Sequence, residues 1–137
     1  MKIAIINGPN LNLLGKREVD IYGGESFDVF FKSLQDKYAS QEISCFQSNV
    51  EGELINEIQR VGFSYDGIIF NPGGYTHTSV AIGDAIAAIT TPVIEVHISN
   101  IFGREEFRKL SHVSGQAKGV ISGLGLKGYE LALAYFL

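Results

Sequence analysis

Carboxylate, imidazole, amide and hydroxyl groups fall in two short clusters of this chain that could carry acid–base chemistry. Glu95, His97 and Ser99 alternate along and just beyond the run Pro92-Val93-Ile94-Glu95-Val96, and alternate residues of a strand share a face. A carboxylate beside a histidine fixes its tautomer and favours its charged form, which suits a general acid. Three polar side chains in file are unusual on a strand buried on both faces; an edge-strand hydrogen-bond cluster is the plainer explanation. The second cluster is Asn71-Pro72-Gly73-Gly74-Tyr75-Thr76-His77, with Asp84 one heptad beyond His77. A helix starting between Thr76 and Ser79 puts His77 at its N-terminus, facing a ligand crevice or serving as a cap. Asp84, among Ile82, Ala85 and Ile86, is either solvated or turned toward a neighbouring subunit.

Further candidates lie in three other segments. Asn7-Gly8-Pro9-Asn10-Leu11-Asn12 follows the first apolar run and brings several amides. Arg17 and Tyr22 fall in the stretch 11–24, which is long for a loop between strand and helix and has the character of a lid or binding loop. A tyrosine is a poor base at neutral pH, but a nearby guanidinium favours the phenolate. Arg17 and Tyr22 could therefore make a general base; the plain alternative is a surface arginine and an anchoring tyrosine. In Arg104-Glu105-Glu106-Phe107-Arg108-Lys109, Glu105 and Lys109 can pair at i,i+4, while Arg108 could bind a polyol or carboxylate.

Alternating strands and helices must position these groups. Apolar runs at 2–6, 43–46, 67–70, 92–96 and 118–121 read as strands. Between them, Phe27, Phe30, Phe31, Leu34 and Tyr38 recur at helical spacing behind Ser26 as N-cap. Leu54, Ile55, Ile58 and Val61 make a second helical face, and Val80, Ile82, Ala85, Ile86 and Ile89 a third. A short charged helix spans 104–110 and a last one 127–137. Short, fully apolar strands imply a parallel sheet covered on both faces, and right-handed crossovers leave few topologies. The expected fold is α/β: a flavodoxin-like three-layer sandwich with a five-stranded parallel sheet in the order 2-1-3-4-5 and helices on both faces. In such sheets ligands bind at the carboxyl ends of the strands, where both clusters would fall.

Size and composition narrow the class. The 137 residues suit one domain, 1–137, and 45% hydrophobic residues are enough for a sizeable core. A net charge of −4 argues against nucleic acid as a main partner. No apolar stretch reaches membrane-spanning length, and the Met1-Lys2-Ile3 start lacks a secretory cleavage pattern. The single cysteine, Cys45, excludes an internal disulfide and fits a reducing cytoplasm; in Ile43-Ser44-Cys45-Phe46 it reads as buried filler. No metal is expected, because His77, His97 and His112 lack metal-site spacing and no cysteine pair exists. Gly119-Val120-Ile121-Ser122-Gly123-Leu124-Gly125 is neither a Walker A loop nor a dinucleotide fingerprint. It reads as a tight strand-to-helix turn.

Taken in order, these segments resemble the type II 3-dehydroquinate dehydratases. The resemblance rests on Asn7 to Gly15 with Arg17-Glu18 and Tyr22-Gly23, then Gln47-Ser48-Asn49 with Glu51-Gly52. It continues through Asn71 to Ser79, Glu95 to Asn100, Arg104 to Arg108, and Gly123-Leu124-Gly125 with Gly128-Tyr129. It spans essentially the whole chain. It implies a cofactor-free cytoplasmic enzyme that converts 3-dehydroquinate to 3-dehydroshikimate by anti elimination through an enolate, without a Schiff base. It implies a homododecamer built from trimers. By resemblance, Tyr22 takes the C2 proton and Arg17 favours its phenolate and stabilises the transition state. Asn10 positions a water at the enolate oxygen, and His97, oriented by Glu95, protonates the departing hydroxyl. Ser99 and the backbone N–H of Ile98 hold the substrate carboxylate; Asn71, His77 and Arg108 hold ring hydroxyls; and Asp84 reaches an adjacent subunit's site.

One departure from the family pattern is Ile101-Phe102-Gly103, where relatives often carry a histidine or tyrosine and then alanine. Gly103 weakens the start of a helix there by up to about 1 kcal/mol. A flavin carrier is a rival of another class, but it calls for a hydroxyl-rich phosphate loop after the first strand. A receiver-type domain calls for an acidic cluster there and an aspartate ending the third strand, where this chain has Asn71. An inactive relative acting through its surface has no need for Arg17, Tyr22, Glu95 and His97 together.

Overall fold

The alternation of side chains along each strand divides the core in two. In the computed structural model, which describes residues 1–16, 20 and 24–137, five parallel strands form one sheet in the order β2-β1-β3-β4-β5. The strands are β1 (Lys2–Asn7), β2 (Glu42–Gln47), β3 (Gly67–Asn71), β4 (Val93–His97) and β5 (Gly119–Ser122). Ile3, Ile5, Ile69, Ile94 and Val96 point to one face, against α1 (Phe27–Lys37) and α4 (Lys127–Phe136). Ala4, Ile6, Ile68, Phe70 and Val93 point to the other, against α2 (Glu51–Val61) and α3 (Val80–Ala88). This is the expected three-layer α/β sandwich, with the expected strand order.

Two of the four described α-helices start at serine caps. Ser26 Oγ accepts the Val29 N–H at the start of α1, as expected, and Ser79 Oγ accepts the Ile82 N–H at the start of α3. Ser79 itself is extended, at φ −97° and ψ 97°, so α3 begins at Val80, where its apolar pattern starts and directly after the expected start between Thr76 and Ser79. The preceding turn is a separate 3-10 helix, Gly73–His77. His77 therefore closes a 3-10 turn rather than opening α3. The expected charged helix at 104–110 is instead one 3-10 turn, Glu106–Lys109, preceded by another at Ile101–Gly103. Extended backbone at Arg104 and Glu105 separates them. Cys45 is exposed rather than buried, because it lies on the outermost strand β2.

The carboxyl ends of β1 and β3 are bound closely together. Asn7 stands in register with both Gln47 and Asn71. The Gly8 N–H donates to the Asn71 carbonyl at 2.7 Å. A Cβ on Gly8 would lie 2.5 Å from the Pro72 oxygen and 3.2 Å from the Asn71 oxygen, so only glycine lets the two loops approach this far. Gly8→Ala is expected to lower stability by about 1–3 kcal/mol through overpacking. Urea unfolding measures this, and an unchanged midpoint would contradict the close approach.

Candidate active site

β4 carries its polar file in the interior, not at an edge: β3 and β5 flank it. Glu95 is fully buried and His97 is 5% exposed. Glu95 is in register with Phe70, on the face packed by α2 and α3. A carboxylate there needs donors, and three converge on it. His97 Nε2 meets Glu95 Oε2 in a short contact. Thr76 Oγ1 donates to Oε2 at 2.8 Å, and Ser114 Oγ donates to Oε1 at 2.7 Å. Behind Thr76, Ser111 Oγ lies 2.7 Å from Thr76 Oγ1. The threonine proton is committed to Glu95, so the serine hydroxyl donates. Burial alone would push the Glu95 carboxyl up; the bonds from His97, Ser114 and Thr76 outweigh it and hold the group below its ordinary value.

This network fixes how His97 meets the pocket. With Nε2 turned to Glu95, Nδ1 is left for a ligand. His77 stacks beside it, with ring centroids 6.5 Å apart. His77 Nδ1 lies 2.7 Å from the Leu110 carbonyl oxygen. A carbonyl only accepts, so Nδ1 carries the proton and Nε2 of the neutral ring is an acceptor. Burial pushes the His77 pKa down and the Arg108 charge adds to this, against the opposing pull of the Leu110 bond. Neutral His77 therefore offers a hydroxyl acceptor beside His97.

Most of the sequence-predicted residues gather around one cavity. Asn10, Asn71, His77, His97, Ile98, Ser99 and Arg108 all line it, and Glu95 lies behind His97. Asn10 adopts a left-handed conformation, φ 70°, the only described non-glycine residue with positive φ; asparagine tolerates this better than most. Its N–H donates to Asn49 Oδ1 at 3.0 Å, tying the β1 and β2 loops. Arg108 Nε donates to Glu105 Oε2 at 3.0 Å, and the Arg108 guanidinium lies 5.0 Å from the centre of the Phe107 ring. Lys109 pairs with Glu106 at i,i+3 instead of with Glu105, as the 3-10 turn dictates. Asp84 does not line this cavity. It is exposed on α3, beside exposed Val80, Ala81 and Ala87. Arg17 and Tyr22 lie outside the described residues.

Several site residues escaped sequence reasoning. Thr76 and Ser114 hold Glu95 and Ser111 backs Thr76, yet in the sequence they are ordinary turn residues. Arg104 also lines the cavity and donates to Ser99 Oγ at 3.3 Å; its place in a charge run hid it. Tyr129 is fully buried, accepts from Asn71 Nδ2 at 2.8 Å and donates to Asn7 Oδ1 at 2.8 Å. Asn71 Oδ1 accepts the Gly73 N–H at 3.0 Å, so the amide orientation is set on both sides. Burial pushes the Tyr129 phenol far up, which makes it a neutral positioning group and no base. Among the described residues, no group of three or more histidine, cysteine or acidic side chains is placed to hold a metal ion, and no helix is long and apolar enough to cross a membrane.

An open parallel sheet with a carboxylate-held histidine and a neutral histidine at its carboxyl edge defines an α/β fold with acid–base groups lining one cavity. Residues 1–137 match the family described as dehydroquinase class II. The chain is 54% identical to the 3-dehydroquinate dehydratase of Fusobacterium nucleatum subsp. nucleatum, covering 100% of this chain and 97% of that one. It superposes on the type II dehydroquinase of Butyrivibrio crossotus with a TM-score of 0.95 at 48% identity, over 99% and 97% of the two chains. For the Propionibacterium acnes enzyme the TM-score is 0.90 at 39% identity, over 98% and 94%. The chain belongs to the class II dehydroquinase family.

Acid sensitivity follows from Glu95. Its folded-state pKa lies below the ordinary value of 4.5, so the unfolded chain takes up that proton first. The stability from ionised Glu95 is complete above about pH 4.5 and is lost as pH falls through the lower folded-state value. Glu95→Gln should lose about 1–3 kcal/mol at neutral pH and show a shallower fall of stability below pH 4.5. Urea midpoints across pH 3–7 check this; an equally steep fall would contradict it.

Proposed function

We propose that residues 1–137 form one catalytic domain that dehydrates 3-dehydroquinate to 3-dehydroshikimate by anti elimination through an enolate. Type II 3-dehydroquinate dehydratase, a hydro-lyase, is the activity of the family to which the chain belongs. The observation that carries the mechanism is the buried Glu95–His97 pair beside neutral His77 at the carboxyl edge of the sheet.

In this reading, Tyr22 as phenolate removes the proton from C2, and Arg17 favours that phenolate and the transition state. The electrons move onto the ketone oxygen as an enolate, which a water positioned by Asn10 stabilises. The enolate then reforms the ketone and expels the C1 hydroxyl, which takes a proton from His97 and leaves as water. No lysine Schiff base and no cofactor takes part. His97 can serve because Glu95 occupies Nε2 and leaves Nδ1 to the substrate. Ser99 and the Ile98 N–H hold the substrate carboxylate, with Arg104 close to Ser99. Asn71, His77 and Arg108 hold ring hydroxyls, and the acceptor lone pair on His77 Nε2 suits that task. Asp84 serves an adjacent subunit within trimers that assemble into a homododecamer; its exposure on α3, away from its own cavity, supports that role.

The direct test mixes purified protein with 3-dehydroquinate and follows the ultraviolet absorbance of the conjugated enone, with borohydride in a parallel sample. Absorbance should rise, and borohydride should trap no covalent adduct. A folded protein that gives no rise, or a trapped lysine adduct, would overturn the reading. Tyr22→Phe should lower kcat by about 10²–10⁴-fold while binding and folding persist; near-normal turnover would remove Tyr22 as the base. Asp84→Ala should raise KM, and unchanged kinetics would take Asp84 out of the site.

A further inference from the structure

The two pocket histidines are held by one short segment that gives the pocket no lining side chain of its own. Residues 110–114 line none of the cavity, yet four of the segment's bonds lead to a group that does, or to that group's support. The Leu110 carbonyl takes the proton of His77 Nδ1 at 2.7 Å. Ser111 Oγ meets Thr76 Oγ1 at 2.7 Å, and the His112 N–H donates to the Thr76 carbonyl at 2.8 Å. Ser114 Oγ donates to Glu95 Oε1 at 2.7 Å, and Glu95 holds His97. Val113 is fully buried against the α2–α3 side of the core.

The segment is stiff within itself. Ser111 Oγ accepts the Val113 N–H at 3.0 Å and the Ser114 N–H at 2.9 Å. It also has a seat. A Cβ on Gly83 of α3 would lie 2.2 Å from the His112 carbonyl oxygen, so the segment crosses the helix at the one residue without a side chain in its way. A backbone oxygen cannot swing aside as a flexible side chain can. Filling that notch must move the segment relative to α3.

We propose that residues 110–114 act as a single positioning strap, seated on Gly83, that sets the ring nitrogens of His77 and His97 together. The strap touches no substrate; it works through Leu110 O on one ring and through Ser114, Thr76 and Glu95 on the other. Small displacements matter here, because a 1 Å error in a catalytic group can cost roughly 100-fold in rate. The inference rests on the dehydratase reading only for its activity measurement.

The test combines steady-state kinetics on 3-dehydroquinate with ¹⁵N signals of the histidine rings, recorded on the folded full-length protein. Gly83→Ala should shift the ring signals of both His77 and His97 and lower kcat by roughly 10–100-fold. Ser114→Ala should shift the His97 ring alone, and Ser114→Thr, which keeps the hydroxyl, should restore both signal and kcat. A folded Gly83→Ala protein with unshifted rings, or one in which a single ring shifts, would overturn the proposal. If Gly83→Ala does not fold, Ser111→Ala replaces it: loss of the turn-holding hydroxyl should move both rings, and unmoved rings would overturn the proposal. The unaltered protein separates the two ideas. If it is inactive while the ring signals respond as described, the dehydratase reading fails and the strap stands.

Discussion

The buried carboxylate of Glu95 is the constraint on which the rest of the site depends. An ionised carboxylate only accepts hydrogen bonds, so every partner around it must turn a proton inward. That requirement sets the Thr76 hydroxyl, then the Ser111 hydroxyl behind it, the Ser114 hydroxyl, and the Nε2–H of His97. One charge thus orders four side chains and leaves His97 Nδ1 to face the cavity. A neutral residue in its place could satisfy the same volume but would not dictate the direction of those protons.

The sheet makes this charge tolerable. β4 lies between β3 and β5, and the alternation of the strand points the fully buried Glu95 toward α3 and the 3-10 turn before it. The same alternation sends Ile94 and Val96 into the opposite core layer. The loops after β1 and β3 are held together by the Gly8–Asn71 bond and by Tyr129, which bridges Asn7 and Asn71 from below. The amide wall of the cavity is therefore anchored to the core, while the two histidines are anchored to a surface segment. A rigid scaffold carrying functional loops is the usual division of labour in open α/β sheets.

Much of this was legible in the residues, for physical reasons. Apolar runs such as Ile3 to Ile6 and Gly67 to Phe70 have too few polar groups to lie at the surface, so a parallel sheet could be read from them, and its order followed as the usual one among the few topologies that right-handed crossovers leave. Glu95 and His97 stood out because charge on such a strand is expensive unless paired. The supports of that pair were not legible. Thr76, Ser111 and Ser114 lie 19 residues or fewer from Glu95 in sequence, but serines and threonines in turns carry no mark that separates a network member from a local cap. Tyr129 lay in the last expected helix, 127–137, where nothing in the pattern marked a role for its hydroxyl. Two element ends also differed: Gly73–His77 is a separate 3-10 turn before α3, and the charged run after β4 holds a single 3-10 turn, Glu106–Lys109, in place of a helix. Cys45 looked like core because its neighbours are apolar, but an edge strand leaves it exposed. Arg17 and Tyr22, the candidates for proton removal, lie outside the described residues.

The most direct test of this account is the protonation state of Glu95 inside the folded protein. An infrared difference spectrum between the unaltered protein and Glu95→Gln at neutral pH isolates that one group. The account predicts loss of a carboxylate stretching band. Loss of a protonated carboxyl carbonyl band instead would contradict it, because a neutral Glu95 could not impose the proton order on Thr76, Ser114 and His97 from which the proposed chemistry follows.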